Sequence, residues 1–163
     1  MTASAPERAE RETLEHEVSH VLEEARMIVP GIQALFGFQL VAVFNQTFFG
    51  RLDVFHQRVH LVAIAWIVLA MGFVMTPAAY HRQAERGWVT GRLVGLGSRL
   101  LQLSLVALAC GVGLDVYVIA YMVLGLRWMA LVVSATLLAA LSMLWFLLPA
   151  ILGSGAATRR SSS

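Results

Sequence analysis

The chain has 163 residues, of which 58% are apolar and only 13% are charged. This composition is far from that of soluble domains and is typical of a chain solvated by lipid. The net charge of +2 comes from arginines that are scattered between apolar runs, which argues against a nucleic-acid partner.

The N-terminal segment, residues 1–26, has the pattern of an amphipathic helix. Ser4 and Glu7 have the spacing of a capping box, and Pro6 suits a first helical turn, so a helix is predicted to start there. Apolar residues then recur at steps of three and four between charged positions: Leu14, Val18, Val21, Leu22, Ala25 and Val29. Because anionic lipid would repel the acidic polar face, we expect the apolar stripe to pack on protein.

Four apolar runs follow, each long enough to cross a bilayer. The first carries no formal charge over 23 residues and reaches about 34 Å as a helix. The predicted spans are residues 27–49, 59–79, 100–123 and 128–150. Gly125, Arg127 and Trp128 set the last boundary, and an earlier third span would bring Arg99 into hydrocarbon at about 2.5 to 3.5 kcal/mol.

The predicted fold is therefore an all-α membrane protein, with four transmembrane helices preceded by an amphipathic cytoplasmic helix. The three predicted regions are the N-terminal segment at 1–26, the transmembrane domain at 27–150 and a disordered cytoplasmic tail at 151–163. The expected partner is the lipid bilayer, and the sequence leaves open a second copy of the chain and a protein that binds the N-terminal helix.

The arginines predict the orientation, because positive residues accumulate on the cytoplasmic side of a membrane. Nine of the twelve lie in the N-terminal segment, the middle connection or the tail: Arg8, Arg11, Arg26, Arg82, Arg86, Arg92, Arg99, Arg159 and Arg160. The other three are Arg51, Arg58 and Arg127. Both termini and the connection around Arg86 are therefore predicted to lie in the cytoplasm.

Asp115 is the one acidic residue inside a predicted span, which makes it a candidate intramembrane ionisable group. It lies about 22 Å along a crossing of about 30 Å, nearer the outer interface than the midplane. Two interpretations stay open. Asp115 binds a proton or cation, or it is an interfacial acid that is hydrated or paired with Arg127 or Arg58.

Amide side chains make the first span unusually polar. Gln39 and Gln46 are seven residues apart and would share one face of a continuous helix. They are candidates for a polar path for ions or water, and the alternative is that such amides hold helices together by interhelical hydrogen bonds.

Histidines recur at one-turn spacing, as His16 with His20 and as His56 with His60. Each pair places two rings on one helix face, where ring nitrogens could bind a metal. Two ligands are too few for a closed site, so no metal site is predicted. No haem is expected either, since the third and fourth spans contain no histidine, and no other cofactor is expected.

Several motifs resemble those of an uncharacterised family of small four-helix bacterial membrane proteins, a domain of unknown function. The motifs are Glu24-Ala-Arg26-Met-Ile-Val-Pro30-Gly31-Ile-Gln33-Ala-Leu-Phe36, Asp53-Val-Phe-His-Gln57-Arg58, Pro77-Ala-Ala-Tyr80-His81-Arg82 and Leu144-Trp-Phe-Leu-Leu-Pro149. The resemblance runs from about residue 14 to 150. It implies the same four-helix fold and a bacterial cytoplasmic membrane, and some members carry an automatic label of sodium/proton antiporter.

Polar motif residues lie at the ends of the first two spans. They lead to the hypothesis of one cytoplasmic polar cluster, made by Glu24, Arg26, Gln33, Tyr80, His81 and Arg82. The alternative is that each side chain anchors its own helix at the membrane interface.

Three classes of function were weighed. A non-enzymatic membrane protein that binds or scaffolds a protein partner through its acidic N-terminal helix fits these features most economically. A small oligomeric channel or proton-linked ion transporter, as a homo-oligomer, is the alternative. An enzyme is not expected, because no nucleophile, base and orienting group converge in the sequence.

Overall fold

The computed structural model describes residues 5–84 and 91–151, and this part of the chain is helical apart from short turns. The helices are α1 (Ala5–Val43), α2 (Gln46–Arg51), α3 (Val54–Ala84), α4 (Gly91–Leu124) and α5 (Arg127–Ser142), which a π-helical turn, Met143–Leu147, continues. The all-α prediction is thus confirmed for the described residues. The connection around Arg86 and nearly all of the predicted tail fall outside them.

Four helices are long and apolar enough to cross a membrane, which indicates a multi-pass membrane protein. The candidate spans are His16–Val43, Val54–Tyr80, Val94–Leu124 and Arg127–Ile151. The first ends before residue 49, and the third begins earlier than residue 100. Arg99 therefore lies within the third candidate span, where its side chain is exposed near one end.

A separate amphipathic helix ahead of the first span is not evident, since α1 continues without a break through both segments. Pro30 lies inside this helix instead of in a first turn. Proline removes one backbone donor, but membrane helices tolerate that loss when neighbouring groups satisfy the freed carbonyl. The buried residues of α1 recur every seven positions, at Val18, Ala25, Ile32 and Gln39. One narrow stripe therefore serves both segments.

The first of two compact units contains Met1–Phe44 and Trp66–Leu108. Its core is aliphatic, and α4 approaches the other two helices closely at one glycine. A Cβ atom at Gly97 would lie 2.9 Å from Cγ1 of Val21 and 3.7 Å from Cβ of Pro77. Part of the N-terminal apolar stripe thus packs on protein, since Val18 and Ala25 are buried and Val21 lies beside α4.

The second unit contains Asn45–Ala65 and Ala109–Ser163. Here α4 packs on α5, and the hydroxyl of Ser134 donates a hydrogen bond of 2.6 Å to the backbone carbonyl of Gly113. Gly125, with φ of +69°, makes the turn between these helices, where the sequence placed it. Only glycine adopts this left-handed conformation readily, so the turn fixes where α4 ends.

Candidate functional site

Seven polar or aromatic side chains converge in the second unit, from the starts of α3 and α5 and the last third of α4. We call them the histidine–carboxylate cluster: Asp53, His56, His60, Asp115, Tyr117, Tyr121 and Arg127. The cluster contains two carboxylate–histidine pairs. One pair reaches the surface and the other is buried.

Asp53 begins the cluster at the N-terminus of α3. Its Oδ1 accepts the backbone N–H of His56 at 3.0 Å, which is the bond expected of a helix N-cap. Its Oδ2 accepts a hydrogen bond of 3.1 Å from the guanidinium of Arg127, at the first residue of α5. One carboxylate therefore caps α3 and ties it to α5.

His56 is fully buried and uses both ring nitrogens. Its Nδ1 contacts Oδ1 of Asp53, and its Nε2 lies 3.2 Å from the hydroxyl of Tyr117. An ionised carboxylate can only accept, so Nδ1 carries the hydrogen, and in the tautomer protonated at Nδ1 alone Nε2 accepts from the hydroxyl of Tyr117. The ring also stacks on Tyr121, with centroids 3.6 Å apart and planes 3° from parallel.

His60 and Asp115 form the second pair, one helical turn further along α3. Nδ1 of His60 lies 2.9 Å from Oδ1 of Asp115, and the two side chains are only 7% and 10% exposed. The ring of Phe48 covers His60 at a centroid distance of 5.1 Å. Burying an ionisable group is costly unless it has a partner, and each of these residues supplies one to the other.

The electrostatics of Asp53 follow from its contacts. The hydrogen bond from the His56 side chain, followed by the one from the His56 backbone, lowers the pKa of the Asp53 carboxyl below its ordinary value. The charge of Arg127 lowers this pKa further. Asp53 is therefore an anion at neutral pH, and its side chain remains 43% exposed.

A model of a family of unknown function, DUF6328, matches residues 6–149 of the chain. The chain belongs to this family. Comparison with curated proteins and with solved structures finds no match. The resemblance drawn from the motifs is thereby confirmed, whereas the family description carries no antiporter activity.

In this DUF6328 member, Asp115 has a different partner from those expected. The sequence suggested Arg127 or Arg58, but Asp115 pairs with His60, and Arg127 pairs with Asp53. The reason is geometric. Arg127 begins α5 and is 61% exposed, next to the capping carboxylate, while Asp115 lies two and a half turns before the end of α4.

The two candidate path residues lie on different helices. Gln39 is buried on the seven-residue stripe of α1, whereas Gln46 begins α2 and is exposed. Because α1 ends at Val43, the shared face that a continuous helix would give them does not form.

The cytoplasmic polar cluster stays a prediction. The side chains of Glu24, Arg26, Gln33, Tyr80 and Arg82 are all exposed, and no ion pair of the described residues joins them. The side chain of His81 lies outside the described part. Glu24 and Arg26 are two residues apart on one helix, a spacing that points their side chains in different directions.

Sequence reasoning missed the role of Asp53, Tyr117 and Tyr121. It recognised His56 and His60 as a pair on one face, but considered them only as metal or haem ligands. The available signal was a second pair at the same spacing on α4, Tyr117 with Tyr121. No group of three or more metal-ligating side chains occurs among the described residues.

Proposed function

We propose that this chain is a non-enzymatic, multi-pass protein of the bacterial cytoplasmic membrane, a small oligomeric proton-linked ion transporter or channel. Its working site is the histidine–carboxylate cluster. The observation that carries the proposal is the buried pair of His60 and Asp115, which lies inside two helices of membrane-spanning length. Ionisable groups in such helices commonly mark ion pathways and proton relays.

The buried pair has the chemistry of a proton-binding site. Imidazole and carboxylate exchange a proton over 2.9 Å without moving a heavy atom far. Uptake of one further proton changes the net charge of the pair by one, and in an apolar surrounding such a change strongly affects neighbouring helices. A purely structural contact between two helices does not require two titratable groups.

A surface connection supports the proposal. Asp53 is half-exposed, its neighbour His56 is fully buried, and Tyr117 follows at 3.2 Å from Nε2. Contacts therefore run from the half-exposed carboxylate of Asp53 through both ring nitrogens of His56 to the hydroxyl of Tyr117, which gives protons at the surface access to a buried imidazole.

The arginine distribution supports the orientation that belongs to this proposal. It favours both termini in the cytoplasm and Arg51, Arg58 and Arg127 on the outer side. The exposed carboxylate of Asp53 would then be accessible from the outer side of the membrane. The apolar surface of α5 faces lipid or a second copy of the chain, since only 6% of its candidate span is buried, compared with 44% for α4.

The test is proton flux in proteoliposomes of defined oligomeric state, driven by sodium or potassium gradients and read with an internal pH dye. We expect Asp115→Asn and His60→Gln to reduce flux to the level of empty vesicles. Ser134→Ala is the matched control, because it removes another buried polar side chain that bonds only to backbone. Flux that survives Asp115→Asn, or wild-type vesicles as tight as empty ones, would contradict the proposal.

A scaffold is the second candidate, and the exposure of the acidic part of α1 favours it. Glu12, Glu17, Glu23 and Glu24 are exposed, and all four lie in the N-terminal half of α1, before or within the polar start of its candidate span. Such a surface suits a basic protein partner. Folded protein without flux, together with a photocrosslinker at Glu17 that captures one discrete basic protein in native membranes, would support this function over transport.

A further inference from the structure

We infer that His16 and His20, on the exposed acidic part of α1 at the polar N-terminal end of its candidate span, form a binding site for a divalent transition-metal ion such as Zn²⁺, Ni²⁺ or Cu²⁺. The site belongs to the first unit, shares no residue with the histidine–carboxylate cluster and does not depend on proton-linked transport. The sequence spacing alone did not justify a metal site. The placement of the rings adds the missing geometry.

The Nε2 atoms of the two rings lie close to each other. Nε2 of His16 lies 3.0 Å from Nε2 of His20, with the ring centroids 4.3 Å apart and the planes at 73°. Two nitrogens that each lie about 2.0 to 2.1 Å from one ion are separated by about 2.9 to 3.4 Å. The two nitrogens are therefore already at the separation that binding to one ion requires, and the backbone need not change.

The carboxylate of Glu23 lies near the ring of His20. Oε2 of Glu23 lies 3.9 Å from Nδ1 of His20, on the side of the ring away from His16. At this distance the carboxylate makes no hydrogen bond to the ring, but its negative charge favours a cation bound at Nε2 of His20.

The surrounding charge favours a cation. Residues 12–25 contain five glutamates and no arginine. Imidazole ligands select zinc, copper and nickel over magnesium and calcium, which prefer oxygen. With no third ligating side chain grouped there among the described residues, water completes the coordination and the site remains open to exchange.

The experiment is calorimetric titration of the full chain, without a polyhistidine tag, with zinc chloride and nickel chloride in detergent at pH 7.5. We expect saturable binding of one ion per chain and no heat from magnesium chloride. His16→Gln and His20→Gln should each abolish the saturable heat, and Glu23→Gln should weaken binding about two- to threefold, because one nearby negative charge is lost at an exposed site. Glu17→Gln is the charge-matched control, since it removes the same charge from the same helix without an ion pair to either ring.

A spectroscopic measurement separates loss of the site from loss of the fold. Cu²⁺ bound to the wild type should show electron paramagnetic resonance with coupling to two nitrogens. This coupling should be absent in the His16→Gln/His20→Gln double variant, whose helical circular dichroism stays unchanged because both side chains are exposed. Wild type without saturable binding, or unchanged binding by the double variant, would overturn the inference.

Discussion

Asp53 shows how much a single side chain can determine at the end of a helix. It accepts the backbone N–H of His56, contacts the His56 ring and binds Arg127. A side chain with three partners gains from its charge only while it is ionised. The stability that Asp53 supplies should therefore depend on pH.

The predicted pH dependence follows from the lowered pKa of Asp53 in the fold. A carboxyl with a depressed pKa stabilises the folded state fully above its unfolded value, about 3.9, and loses this contribution as pH falls through the folded value. Asp53→Asn keeps the helix cap, because asparagine is an equally good N-cap residue, but removes the charge. In thermal unfolding in detergent, the wild type should be the more stable protein at pH 6.

The control for this prediction is the same measurement on Glu17→Gln, whose carboxylate has no such contacts. The gap between wild type and Asp53→Asn should shrink as pH falls below about 4, whereas the Glu17→Gln curve should run parallel to the wild type. A gap that is constant from pH 6 to pH 3 would show that the charge of Asp53 contributes nothing.

At this scale, sequence reasoning singled out Asp115, His56 and His60 but not their partners. Asp115 is conspicuous as the one acid in an apolar span, yet His60 lies 55 positions earlier in the chain. Their proximity depends on how two helices pack, which the spacing within either helix does not specify. Charge alone favoured the arginines Arg58 and Arg127 as partners, whereas the structure pairs Asp115 with the imidazole of His60.

Helix extents were predictable where a residue forces the backbone to turn. Gly125 has a positive φ that other residues adopt only with strain, so the end of α4 could be read from the sequence. Pro30 was misleading, since proline commonly marks a first turn, whereas α1 passes through it. The π-helical turn at Met143–Leu147 carries no sequence signal that we recognise.

Close packing of α4 on α5 gives a prediction for one glycine. A Cβ at Gly113 would lie 2.7 to 2.8 Å from three side-chain atoms of Leu138, too close for unshifted packing. Gly113→Ala should therefore destabilise the protein by about 1 to 3 kcal/mol, less the few tenths to 1 kcal/mol that alanine gains in a helix. The measurement is the midpoint of thermal unfolding, which should fall by about 2 to 4 °C per kcal/mol.

Two variants test the cause of that loss. Gly72→Ala, in α3, has nothing within 4 Å of the new Cβ and should be neutral or slightly stabilising. Leu138→Ala should restore stability to the Gly113→Ala protein relative to the sum of the single changes. Strict additivity of the two changes would mean that Leu138 moves aside freely and that the contact is not close in solution.

At the scale of the whole molecule, the apolar runs of the sequence correctly predict four helices of membrane-spanning length, because runs of that length cannot be solvated by water. The contacts between helices, the pairing of histidines with carboxylates and the unbroken course of α1 all arise from packing, which composition does not encode. Orientation belongs to the same scale, since it is set by the sum of many arginines and by no single one.

The predicted orientation can be tested with the single cysteine of the chain replaced. In a Cys110→Ser background, Leu126→Cys and Gln83→Cys introduce one thiol each at exposed positions. Leu126 follows the C-terminal end of α4 and Gln83 lies near the C-terminal end of α3, so one predicted membrane crossing separates them. Because nine of the twelve arginines accompany Gln83 and the termini, a membrane-impermeant maleimide should label Leu126→Cys in intact cells and Gln83→Cys only after permeabilisation. The reverse pattern would turn Asp53 toward the cytoplasm, and the surface connection through His56 would then serve protons from the inner side. Labelling of both sites in intact cells would mean that the arginine count does not orient this chain.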